Sequence, residues 1–73
     1  MTDRILQNMN QIKEAGEGFE TVESGMDRGG IGWSASIWME GALFIVDQSF
    51  DDGFRLRRTF TKPEYAADFI RNT

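Results

Sequence analysis

Twelve carboxylates, eight basic side chains and several hydroxyls, with no histidine and no cysteine, set the chemistry open to this chain of 73 residues. Without histidine it lacks the side chain best suited to moving protons near neutral pH, and without cysteine the remaining nucleophiles are serines with no activating partner. No pair of acids sits in an apolar stretch that would split their pKa values. Asp47-x-Ser49-x-Asp51-Asp52-Gly53 has the acidic spacing with which a calcium loop begins. The glycine falls one position late, however, and Arg58 stands where the bidentate glutamate belongs. Gly29-Gly30-Ile31-Gly32 is not followed by the Lys-Ser/Thr pair of a phosphate loop. The expectation is a protein that is not an enzyme and holds no metal or cofactor.

What remains is recognition chemistry, in two groups of residues. Trp38, Leu43, Ile45, Arg55 and Arg57 belong to the residue types that anchor protein interfaces or lie beside such anchors. Glu14, Glu17, Glu20, Glu23 and Asp27 form an acidic run with Lys13 at its edge and no basic residue within it, and a surface of that kind can imitate phosphates in the basic groove of a partner. The net charge of −4 disfavours direct binding to nucleic acid. The absence of cysteine, and a start, Met1-Thr2-Asp3-Arg4, without signal character, point to the cytoplasm. The longest apolar run, Ala42-Leu43-Phe44-Ile45-Val46, is too short to span a bilayer, so no membrane partner is expected.

The elements that must position these residues follow from periodicity. Ile5, Leu6, Met9 and Ile12 recur at helical spacing, predicting a helix over Asp3 to Ala15 capped by Thr2 or Asp3 and stopped by Gly16 and Gly18. Phe19 to Ser24 reads as a short edge strand whose glutamates resist pairing with other chains. Residues 25–32, rich in glycine, read as a mobile connector. From Gly32 to Phe60 the chain reads as a three-stranded meander: Trp33 to Glu40, Leu43 to Phe50 and Phe54 to Phe60. A second helix follows Thr61-Lys62-Pro63-Glu64, where Thr61 and Glu64 suit a reciprocal capping box and Phe60 and Tyr65 a hydrophobic staple. The fold class is α+β, a single domain with an antiparallel sheet of three to four strands and a helix at each end packed on one face.

Register decides which side chains share a face, because a slip of one residue turns every side chain over. A three-residue Asp51-Asp52-Gly53 loop sets Phe50 opposite Phe54, Gln48 opposite Leu56, Val46 opposite Arg58 and Phe44 opposite Phe60. It also sets Asp47 against Arg57 and Ser49 against Arg55 on the other face. With a two-residue Glu40-Gly41 loop, the core face collects Trp33, Ala35, Ile37, Phe44, Val46, Phe50, Phe54, Leu56 and Phe60. The opposite face collects Ser34, Ser36, Trp38, Leu43, Ile45, Asp47, Ser49, Arg55 and Arg57.

The element order resembles the double-stranded RNA-binding domain in outline, but that family's lysine cluster at the start of the last helix has no counterpart in Thr61-Lys62-Pro63-Glu64. In size, acidity and a meander ending in Phe60-Thr61-Lys62-Pro63-Glu64, the chain also resembles small phage-encoded inhibitors of the anti-CRISPR kind. That resemblance implies a non-enzymatic protein that blocks a nucleic-acid-handling complex by occupying its surface. The alternative is a structural domain that homodimerises through Trp38, Leu43 and Ile45.

Overall fold

The computed structural model describes residues 3–73. Helix α1 spans Arg4–Ala15, strand β1 Glu20–Met26, β2 Gly32–Glu40, β3 Leu43–Phe50 and β4 Arg55–Phe60, and helix α2 spans Pro63–Arg71. The strands form one antiparallel sheet in the order β1-β2-β3-β4, so β1 is indeed an edge strand, starting one residue later and ending two residues later than periodicity suggested. Both helices lie on one face. Met9 and Ile12 of α1 and Ala66, Ala67 and Ile70 of α2 close over Trp33, Ala35, Ile37, Met39, Phe44 and Val46. The α+β architecture with a helix at each end is as expected.

Capping explains where the helices start. Asp3 is extended and its carboxylate accepts from the Leu6 N–H, while Gly16 at φ 74° ends the helix and donates to the Ile12 carbonyl. Thr2, the other candidate cap, lies outside the described residues. In α2 the anticipated capping box does not form. The ring of Pro63 disfavours the helical conformation in the residue before it, so Lys62 stays extended at φ −133°, ψ 145° and becomes the N-cap, one residue later than Thr61 would require. The Lys62 carbonyl accepts from both Tyr65 and Ala66. The staple is also different: Phe60 packs on Phe69, ring centroids 5.5 Å apart, and Tyr65 is turned to solvent beneath the Lys62 ammonium.

Arg71 at the end of α2 bonds both Asp68 and Asp3, tying the two helices together. The Leu6 N–H foremost holds the Asp3 carboxyl below its ordinary value against the opposing effect of desolvation, and Arg71 adds to the lowering. A depressed carboxyl stabilises the fold above its ordinary pKa of 3.8 and loses that contribution as pH falls through the lower folded value. Asparagine caps as well as aspartate but carries no charge. Asp3→Asn is therefore expected to flatten the acid limb of stability against pH, measured by urea unfolding between about pH 5 and pH 2.

The β3–β4 register is the one the three-residue loop requires, from Phe44 opposite Phe60 to Ser49 opposite Arg55. Gly53, at φ 95°, donates to the Phe50 carbonyl, and the Asp52 carboxylate accepts from the Phe54 N–H. The β2–β3 turn is corrected by one position. Glu40 pairs with Leu43, so the loop is Gly41-Ala42, and Gly41 at φ 58° takes the first central position that a type II′ turn reserves for glycine. Moving the turn by one residue slides the pairing by two, so the faces are unchanged. That slide gives Met39 a core partner in Phe44.

Residues 27–31 are not a mobile connector. One Asp27 carboxylate oxygen accepts from the N–H groups of both Gly29 and Ile31, and the Asp27 N–H donates to the Ile31 carbonyl. An Asx-type turn of this kind closes a tight hairpin between β1 and β2. Among the predicted core residues, Phe50 sits half-buried against Phe54 at 5.7 Å between centroids, and Phe54 itself is exposed, beyond the cover of the helices.

Candidate functional site

Among the described residues no helix covers the second face of the sheet, and pairing across the four strands orders its side chains in rows. One row runs Glu20, Trp38, Ile45, Thr59; the next Val22, Ser36, Asp47, Arg57; the third Ser24, Ser34, Ser49, Arg55. Trp38, Leu43, Ile45, Arg55 and Arg57 therefore all belong to this face. At its centre the Arg57 guanidinium stands 5.5 Å from the centroid of the Trp38 ring and bonds the Asp47 carboxylate at 3.1 Å. The indole N–H of Trp38 donates to Glu40 at 3.2 Å. A solvated cation–π contact contributes about 0.5–1 kcal/mol and an exposed ion pair about 0–1 kcal/mol, so the cluster fixes the orientation of Trp38 more than it stabilises the fold.

The five residues are not equally available. Ile45 is only 4% exposed, enclosed on a helix-free face by its own neighbours, whereas Leu43 at the rim is 40% exposed. Trp38 is half-buried, and Arg55 and Arg57 are exposed. Beside Trp38 opens a shallow depression of about 200 Å³ lined by Gly18, Phe19, Glu20 and the indole itself. Two exposed apolar residues of this face, Val22 and Met26, were not among those singled out from the sequence. Once β1 is granted its period of two, Val22 falls beside Ser36, but that placement needs the β1–β2 register.

The acidic run does not form one surface. Spacing of three puts residues on one side of a helix and on opposite sides of a strand, and Glu20 and Glu23 lie on a strand. Glu20 joins the open face, while Glu23 points under the helices and is 3% exposed. There the Glu23 carboxylate accepts two bonds from the Arg4 guanidinium and one from the Asn8 amide, each 2.9 Å. Asp27 is spent on its turn, and Glu17 bonds the Gly41 N–H at 3.0 Å, bracing the β2–β3 turn. Only Glu14, Glu17 and Glu20 stay exposed to solvent.

No protein-family model, no curated protein and no solved structure matches the chain. Among the described residues no acidic cluster is arranged to hold a metal ion, and no helix is long and apolar enough to cross a membrane. The open face of the sheet brings together a held aromatic ring, apolar rim residues and two guanidinium groups.

Proposed function

We propose that the chain is a non-enzymatic protein-binding domain that acts by stoichiometric association, with the open sheet face as its docking surface. One observation carries the reading. An antiparallel sheet with one face in solvent ordinarily shows polar side chains there, and this one shows Trp38, Val22 and Leu43, with Val22 62% exposed. Trp38 is a pre-oriented anchor of the type that dominates interface energetics. Arg55 and Arg57 make the β4 side of the face basic, which suits a partner surface that is apolar at its centre and acidic on that flank.

Two narrower readings rest on the same chain. An inhibitor of the phage-encoded kind that imitates phosphates has Glu14, Glu17 and Glu20 as its remaining outward carboxylates, fewer than the acidic run promised. Homodimerisation draws on Trp38 and Leu43, with Ile45 already enclosed. Docking through the open face is the better supported of the three, because its residues form one contiguous surface.

The test pairs Leu43→Glu and Val22→Glu with Gln11→Glu on the exposed side of α1 as a control. For a protein recovered with the native chain at equimolar ratio, the face variants are expected to weaken binding by about tenfold or more and the control to leave it unchanged, as measured by titration calorimetry. Equal affinity for all three would remove the open face as the docking surface. Sedimentation of the free chain as a dimer dissociated by Leu43→Glu would assign the face to self-association instead.

A further inference from the structure

The open face continues into a second feature, the outer edge of β4. The Phe50 N–H donates to the Phe54 carbonyl, which makes that pair a hydrogen-bonded one. Pairs alternate along an antiparallel ladder, so Leu56, Arg58 and Phe60 turn their backbone groups toward β3, and Arg55, Arg57 and Thr59 turn theirs outward. Among the described residues β4 has no neighbouring strand on that side, and nothing in its Arg55–Phe60 sequence is proline. The exposed N–H and C=O groups have the spacing a further strand needs.

The edge is also strongly charged. Arg55, Arg57 and Arg58 occupy three of its six positions with no acid among them, in a chain of net charge −4. Arg55 and Arg57 flank the edge on the open face and Arg58 on the helix face, where all three are exposed. Among the described residues, Arg57 alone of the three has an ion-pair partner, Asp47. Arginines on an edge repel a second copy of the same edge and an uncharged strand gains nothing from them, but a carboxylate-bearing strand is drawn in by charge-assisted hydrogen bonds. The opposite edge differs. By the same alternation, β1 turns outward the backbone groups of Glu20, Val22, Ser24 and Met26, whose one charge is negative.

We infer that the outer edge of β4 accepts an extended acidic segment of a partner protein as a fifth strand, paired to the backbone of Arg55, Arg57 and Thr59 with its carboxylates against Arg55, Arg57 and Arg58. The inference rests on the protein-binding reading and names the chemistry of the partner. Backbone pairing supplies affinity and the guanidinium groups supply the choice of an acidic strand.

The test uses the unmodified chain and a capped Glu-Val-Glu-Glu-Val-Glu peptide, which as a strand carries carboxylates on both faces, with Lys-Val-Lys-Lys-Val-Lys as its counterpart. Under saturating acidic peptide, amide hydrogen exchange at Arg55, Arg57 and Thr59 is expected to slow by about tenfold or more while Val22 and Ser24 on the β1 edge are unaffected. The lysine peptide is expected to leave all of them unchanged. Arg55→Glu with Arg58→Glu should weaken the acidic peptide by about tenfold or more. Thr59→Pro, which removes one outward donor and keeps every charge, should weaken it as well, since proline is tolerated on an edge. Unprotected amides at Arg55, Arg57 and Thr59, or an affinity unmoved by Thr59→Pro, would overturn strand addition. So would a single-stranded oligonucleotide that protects the same amides equally. The open-face variant Leu43→Glu separates the two readings: peptide binding that survives it while partner binding is lost keeps the edge, and loss of the edge effect alone leaves the open face standing.

Discussion

Replacing Gln48 by methionine is expected to raise the stability of the fold by about 1–3 kcal/mol, the cost of leaving a buried amide without partners. Gln48 lies on the core face of β3, across from Ala35 on β2 and Leu56 on β4, and it is completely buried. Neither its amide nitrogen nor its carbonyl oxygen has a hydrogen-bond partner among the described residues, and the indole nitrogen of Trp33 on the same face is also without one. Methionine keeps the length and flexibility of glutamine and replaces the amide with a thioether and methyl group that need no partner. The effect should show as a higher urea midpoint with an unchanged slope, because the surface exposed on unfolding stays nearly the same. A lower midpoint would mean that the amide is satisfied by ordered water in solution, and the gain would disappear.

Gln48 also marks how far the sequence was legible. The Asp51-Asp52-Gly53 turn placed it opposite Leu56, and the structure has it there, although the core-face residues expected from the sequence did not include it. Turn chemistry and alternation were enough for the β3–β4 register and for the two faces of the meander, because each depends on residues a few positions apart. They were not enough where a second element decides the outcome. Glu23 was read with Glu20 as part of a solvated acidic surface, and only the return of α1 over β1 shows that Arg4 and Asn8 hold it inside. The capping box at Thr61 failed on a local conflict, the demand of Pro63 on the backbone of Lys62, which outweighed the side-chain pattern. Of the candidate surface, Trp38, Leu43, Arg55 and Arg57 were legible from register alone. Val22 needed the β1 pairing, and the enclosure of Ile45 needed the packing of the whole face.

The second large effect follows from that enclosed carboxylate. Arg4→Met is expected to raise the unfolding equilibrium constant by about tenfold or more, whereas Glu23→Met is expected to change it by much less. The asymmetry comes from burial. The Arg4 side chain is 67% exposed and finds water when its partner is removed, but Glu23 at 3% exposed cannot, and the Asn8 amide alone does not offset its charge. A charge left buried without its partner is the expensive state, while a buried pair replaced by apolar groups of similar volume is close to neutral. The double variant Arg4→Met, Glu23→Met should therefore recover most of what Arg4→Met loses. Hydrogen exchange should place the change, since Glu23 is the side chain through which edge strand β1 is bonded to α1: the β1 amides should exchange faster in Arg4→Met while those of β3 follow only the global stability. Equal losses in the two single variants would mean that the carboxylate reaches solvent. Because β1 supplies Glu20 and Val22 to the open face, loosening it should also weaken partner binding there and leave the β4 edge, on the far side of the sheet, unaffected.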